Sequence, residues 1–242
     1  MSVDARLHVN PTGALLDAAR DCEAEVFERW YGNSREELEV EYGPYEEVSV
    51  FVAVTDSAGD VGAAMRLLQP GGAAGLKTLT DIAGQPWHVD GLRSAAAAGL
   101  DLAHTWEVAT VSSRRRLGAT GLRHSFALYY ALGAIARVNA MTDFVAILDQ
   151  RVRRLLDSVG LVTRALPGTK AGPYLGSPAS TPIFANVHTM LRAQRQEHPD
   201  SFALVTLGNG LDGVAVPPDD AFRLTAVPDT VPTSWSAPGA LV

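Results

Sequence analysis

Glu107 lies in the strand-like run Thr105-Trp106-Glu107-Val108-Ala109-Thr110-Val111. Directly behind it comes Ser112-Ser113-Arg114-Arg115-Arg116-Leu117-Gly118-Ala119-Thr120-Gly121, which opens a long apolar helical stretch. A strand that ends in a basic, glycine-containing turn before a helix is suited to hold an anion. N–H groups point out of the turn, the helix dipole favours negative charge, and the arginines add full charge. Val111, Arg114, Arg115, Arg116, Gly118, Thr120 and Gly121 are therefore candidates to hold a phosphate-bearing donor. A carboxylate buried beside such a turn has its pKa raised and can act as a base, which makes Glu107 the candidate general base. The same residue can equally be a structural carboxylate satisfied by backbone N–H groups.

Arg66, in the run Val61 to Leu68, is the other catalytic candidate. Its neighbours Met65 and Leu67 point to the opposite face of a strand. A guanidinium on the functional face can grip an acceptor carboxylate bidentately; a structural pairing with Glu46 or Glu47 is the alternative. Arg151, Arg153 and Arg154 follow Asp149 and, with Arg114, Arg115, Arg116 and Arg123, can form one basic face. Such a face is either solvated or a docking patch for an acidic carrier protein or an RNA backbone. His88, His104, His124 and His188 show no metal-ligand spacing, so no metal is expected. No serine nucleophile elbow, Walker loop or Rossmann glycine pattern appears.

These residues need elements to position them. Leu15, Ala19, Cys22, Val26 and Trp30 share one face of a predicted helix, and Ser34-Arg35-Glu36-Glu37 reads as a capping box opening a short acidic helix. Two strands over residues 48–55 and 61–68, joined by Ser57-Ala58-Gly59-Asp60, form an antiparallel hairpin. After a glycine-rich loop and a helix over 92–99 come the strand of Glu107, a helix over 119–139, the apolar strand Phe144 to Leu148, and a basic helix from Gln150 to Ser158. Strands over 161–166 and 182–185, a helix over 187–196 and a last strand over 201–207 complete the expectation. Residues 1–208 make one α/β (α+β) domain with a central mixed β-sheet flanked by helices, and 209–242, rich in proline, an extended arm or tail.

The chain has 242 residues, 47% hydrophobic and 19% charged, with a net charge of −7, an ordinary globular balance whose overall sign does not ask for nucleic acid. One cysteine, Cys22, leaves no internal disulfide or cysteine-rich zinc site. No apolar leader and no stretch of 18 apolar residues appears, so a cytoplasmic protein is expected.

The element order, with a basic glycine turn between the fourth strand and a long helix, resembles the GNAT superfamily of acyltransferases. More narrowly, Phe27 and Trp30, the segment Ala64-Met65-Arg66-Leu67-Leu68-Gln69-Pro70, and Trp106-Glu107-Val108 resemble acyl-homoserine-lactone synthases and N-acyl amino acid synthases over residues 14–165. Gln69 intrudes before the proline, and Ala109-Thr110 stand where those synthases carry Ser-Arg. Arg115, Gly118 and Thr120 fill the phosphate-turn positions, the last departing from the pattern. Leu156 stands where many coenzyme A-dependent members carry a tyrosine acid.

The resemblance implies an N-acyltransferase that moves an acyl group from a thioester (acyl carrier protein or acyl-CoA) to the amine of a small acceptor. No tightly bound cofactor is implied beyond the phosphopantetheine of the donor. A transferase using aminoacyl-tRNA and a non-catalytic acyl-CoA sensor are the alternatives. A backbone N–H near Ala109 to Val111 can polarise the thioester carbonyl if the fourth and fifth strands splay apart.

Overall fold

The computed structural model describes residues 3–114 and 119–224. The chain begins with β1 (Ala5–Val9), α1 (Ala14–Tyr31) and α2 (Arg35–Tyr42). Helix α1 stops at Gly32, whose φ of 76° is the left-handed turn that glycine adopts without strain. Ser34 and Glu37 close both arms of the capping box that starts α2. Then come β2 (Ser49–Asp56), β3 (Val61–Leu68), α3 (Lys77–Asp81), α4 (Gly91–Ala98), β4 (Thr105–Ser113), α5 (Ala119–Val138), β5 (Asp143–Asp149) and α6 (Gln150–Ser158). The chain continues with β6 (Arg164–Ala165), β7 (Gly172–Tyr174), β8 (Ser177–Asn186), α7 (Val187–Glu197) and β9 (Val214–Ala215).

These strands form one mixed sheet ordered β6-β8-β5-β4-β3-β2-β1-β9, with β7 on β8. Strands β2 and β3 are buried along nearly their whole length, which is why they read as near-continuous apolar runs. One face packs on α5 through Val52, Val54, Met65, Leu67, Trp106 and Phe144. The other face is covered by α1, which packs on Phe51, Ala53, Val61 and Ala64, and by α3 and α4, which pack on Val145 and Phe184.

Four elements differ from expectation. Strand β1, in which Ala5, Leu7 and Val9 alternate with Arg6 and His8, and the short β7 are additional to the expected strands and pair onto β2 and β8. Of the expected strand over 161–166, only Arg164 and Ala165 pair. The expected last strand over 201–207 is a π-helix, Phe202–Thr206, in which Leu207 N–H donates to Phe202 O at 3.0 Å. A short apolar run cannot distinguish helix from strand by period alone, and here it packs on α5 and α7. Beyond residue 209, β9 pairs with β1 in parallel, and Phe222 is buried against Tyr130, with its carbonyl held by Asn139 Nδ2 at 2.8 Å.

Candidate active site at the split between β4 and β5

Strands β4 and β5 are parallel but pair only at Thr105–Glu107 with Asp143–Val145. Beyond that they part. On the β3 side, Arg66 faces Thr110 while the next residue, Leu67, faces Val108, so Ala109 is an extra residue, a β-bulge. The bulge sits where β4 leaves β5, and the hydroxyl of Tyr42 donates to the Ala109 carbonyl at 3.5 Å.

A cavity of about 510 Å³ fills the split, within the usual range of a ligand site. Val108 to Val111 of β4 and Ala146 to Asp149 of β5 form its edges, so it runs through the sheet from one face to the other. On the α5 and α7 side its walls are apolar, including Leu132, Ala136, Met141, Met190, Leu191 and Val205. On the α1 side they are aromatic and polar: Phe27, Trp30, Tyr31, Tyr42, Tyr174 and Ser177. The hairpin between β7 and β8 closes this chamber. Gly176 has a φ of 78°, and a Cβ there would meet Tyr31 O at 1.9 Å, so only glycine lets the hairpin tip lie on the end of α1. Leu156 also lines the cavity and brings no acid to it.

Glu107 is buried at the closed end of the split, where its carboxylate accepts from the start of a helix. Helix α3 begins at Leu76, whose side chain cannot cap. Glu107 does so from β4: Thr78 N–H donates to its two oxygens at 3.1 and 2.9 Å, and the Thr78 hydroxyl donates to Oε1 at 2.9 Å. Burial pushes its pKa up to about 7, with the Thr78 bonds opposing and Asp81 adding to the rise. That value suits a base near neutrality, yet Glu107 is not part of the cavity wall. The tyrosines in front of it are. Tyr174 donates to Asp81, which also takes Lys77 Nζ at 2.7 Å; Lys77 reaches Glu41 as well, at 2.7 Å. Burial lowers the tendency of Lys77 to stay charged, but Asp81 and Glu41 outweigh it and raise its pKa. Burial, and then the charge of Glu23, hold Tyr42 well above the usual phenol range.

Arg66 is not free to receive a carboxylate. It is 3% exposed, and its Nε and Nη2 donate to Glu23 at 3.1 and 2.6 Å. Its guanidinium lies between the rings of Tyr42 and Phe51, at 4.3 and 4.6 Å, and Glu46 is 3.9 Å away. Its main partner is Glu23, which the expected pairing with Glu46 or Glu47 did not name. Thr110 also donates to Glu23. A smaller charged cleft beside it, lined by Arg20, Arg35, Glu39 and Glu46, shares Tyr42 with the main cavity as a common wall.

Among the turn residues, Arg115, Arg116 and Gly118 lie outside the described residues, as does the Thr120 side chain. Gly121 is in the first turns of α5, and Val111 lines the cavity. Arg114 turns away to Glu25 Oε2 (2.7 Å) and Val61 O (2.7 Å). The basic face is also less uniform than expected. Arg153 is half-buried and ties α6 to Thr163 O at 3.1 Å; Arg123 pairs with Asp4 at 3.2 Å; Arg154 is exposed. Arg151 bonds to Asp149 and lies 5.9 Å from the Trp30 ring at the rim of the cavity.

Asp149 is the carboxylate that does line the cavity, at the open end of β5. It caps α6 by accepting Arg151 N–H at 2.7 Å, and Ser177 Oγ donates to it at 2.7 Å. Burial works to raise its pKa, but the bonds from Arg151 and Ser177 outweigh it and lower it. Glu107 thus has the proton affinity of a base without the position, and Asp149 the position without the affinity. Among the described residues no cluster of three or more His, Cys, Asp or Glu is placed to hold a metal ion, and no helix is long and apolar enough to cross a membrane.

The mixed sheet of parallel and antiparallel strands flanked by helices matches the GNAT-like fold. Within that class the chain is similar to an N-acyl amino acid synthase from uncultured soil microbes, FeeM, at 12% identity and a TM-score of 0.58, over 78% of this chain and 93% of that one. It is also similar to the acyl-homoserine-lactone synthase LasI (12% identity, TM-score 0.51, 76% and 89% covered). A coenzyme A-dependent acyl-homoserine-lactone synthase, BjaI, solved with SAM and isopentyl-CoA, matches at 15% identity and a TM-score of 0.51, over 90% and 97%. No protein-family model and no curated protein matches.

Proposed function

We propose that this protein is an N-acyltransferase that joins an acyl group, delivered as a thioester, to the amine of a small acceptor. The observation that carries this is the two-sided cavity: mostly apolar on the α5 and α7 side, polar on the α1 side, with the Ala109 bulge on the strand edge between them. An acyl tail fits the apolar side, an amine the polar side, and the reacting carbonyl the gap between the strands. The bulge takes backbone out of the regular ladder, and an N–H freed there can stabilise the oxyanion. The amine nitrogen bonds to the carbonyl carbon, the C–S bond breaks, and the thiolate leaves. The proton released by the amine goes to water or to the thiolate, which needs no strong acid because thiols ionise near pH 8.5; Leu156 in the acid position is compatible with that.

In this scheme residues 114–121 anchor the donor phosphates, with Arg115, Arg116 and Gly118 as the contacts. Glu107 fixes the wall behind the tyrosines. The similarity to BjaI supports coenzyme A as a carrier of the acyl group. Exposed Arg151 at the cavity rim, with Arg154 exposed on the same helix, supports an acidic acyl carrier protein. A net charge of −7 counts against charged tRNA.

The test is intact mass spectrometry of products formed from decanoyl-coenzyme A, decanoyl-acyl carrier protein or aminoacyl-tRNA with a pool of amines. Amide formation from a thioester supports the proposal. Tight binding of acyl-coenzyme A with no turnover of any donor would make the protein a sensor.

A further inference from the structure

Resting on that acyl-transfer reading, we propose that the acceptor is a primary amine without a carboxylate, its ammonium carried on an aromatic or apolar body. The chamber on the α1 side is where an acceptor must sit, because the opposite side is mostly apolar and carries no charged side chain among the described residues. Among the described residues the only basic side chain lining the cavity is Arg151. That arginine is already bonded to Asp149 through Nε at 3.2 Å. Arg66, the obvious receptor for an amino acid carboxylate, is enclosed by Glu23, Tyr42 and Phe51. An α-carboxylate entering here would lose its water and find, among the described residues, one cation, Arg151, which Asp149 already holds, a costly arrangement.

A cation finds the reverse. Asp149 puts a carboxylate on the wall, with Ser177 beside it. Its partner Arg151 has a side chain that is 61% exposed, so that ion pair is weak and leaves the carboxylate able to hold an ammonium beside the guanidinium. The rings of Phe27, Trp30, Tyr31 and Tyr42 line the same cavity, and aromatic rings attract a cation and pack an apolar body. Phe27 and Tyr31 lie 5.4 Å apart, centre to centre, as one aromatic wall.

Matched pairs that differ only in the carboxylate give the test. Phenethylamine and tryptamine are compared with phenylalanine and tryptophan, and with the methyl esters of both amino acids. Decanoyl-coenzyme A and decanoyl-acyl carrier protein serve as donors, and thiol release and amide mass are read together. The amines and esters should be acylated with kcat/KM at least roughly tenfold above the free amino acids, the least that an unpaired buried charge costs. Preference for the free amino acids overturns the proposal and leaves acyl transfer standing. Absence of any amide from either donor overturns acyl transfer itself.

Asp149→Asn gives an independent arm, because asparagine caps a helix as well as aspartate does. It should raise the KM of tryptamine by roughly ten- to a hundredfold while leaving the donor KM alone. An unchanged tryptamine KM in a folded Asp149→Asn protein also overturns the proposal.

Discussion

Replacing Glu107 with glutamine separates a proton acceptor from a helix cap. Glutamine keeps a carbonyl oxygen for the Thr78 N–H and hydroxyl but cannot ionise. Burial raises the Glu107 pKa from 4.5 to about 7. The folded state therefore keeps its proton in a range where the unfolded chain has lost it. Stability from this group is complete below pH 4.5 and is lost as pH rises through 7. Each pKa unit is worth 1.36 kcal/mol, so about 3 kcal/mol disappears over that window. The variant has no such loss. Its stability relative to the parent should rise by about 3 kcal/mol between pH 4 and pH 8, roughly 10 °C in Tm for a chain of this size. Urea unfolding of both proteins at four pH values, followed by tryptophan fluorescence, gives the difference directly. A difference that stays flat with pH refutes the burial argument. In the same samples, a fall in kcat of two orders or more at neutral pH would restore Glu107 as a base, against its place outside the cavity wall.

Gly133 lines the apolar side of the cavity, and a Cβ there meets nothing within 4 Å. Gly133→Ala should stabilise α5 by about 0.5–1 kcal/mol, and Gly133→Phe should shift donor preference to shorter acyl chains, read from kcat/KM across a chain-length series. Arg66→Met leaves Glu23 buried and unpaired, so it should cost about 3–5 kcal/mol in urea unfolding. Arg66→Lys should lower Tm without changing acceptor KM. Arg154→Glu should slow turnover with acyl carrier protein but not with acyl-coenzyme A, in assays at low and high salt. Arg153→Glu should instead reduce stability with every donor, because it breaks the bond to Thr163 O.

The sequence carried the frame of this site but not its interior. The strand of Glu107, the hairpin before it, the long helix after it and the capping box at Ser34 each follow from local pattern, which period and turn chemistry report well. Arg66 and Glu107 were visible as buried-strand charges, but their partners Glu23 and Thr78 lie 43 and 29 residues away. No spacing rule reaches that far, so the sequence left a held and a functional reading open for each charge and could not name the partner. Tyr42 and Tyr174 gave no local sign of a shared chamber, since that depends on how α2 and the β7–β8 hairpin fold over the sheet. Asp149 had a signal, a carboxylate between an apolar strand and a helix, and that signal reports a cap more directly than a ligand.

In the reaction proposed above, the opening between β4 and β5 has a consequence for what happens after the bond is made. Two reactants can arrive from opposite faces of the sheet without sharing a doorway. Their product cannot leave that way, because it is one molecule with its tail in one layer and its head in the other. To depart, one end must be threaded back past the Ala109 bulge and the edge of β5. A longer tail has more apolar surface to withdraw, so the same wall that selects the acyl chain also sets how slowly the finished amide escapes.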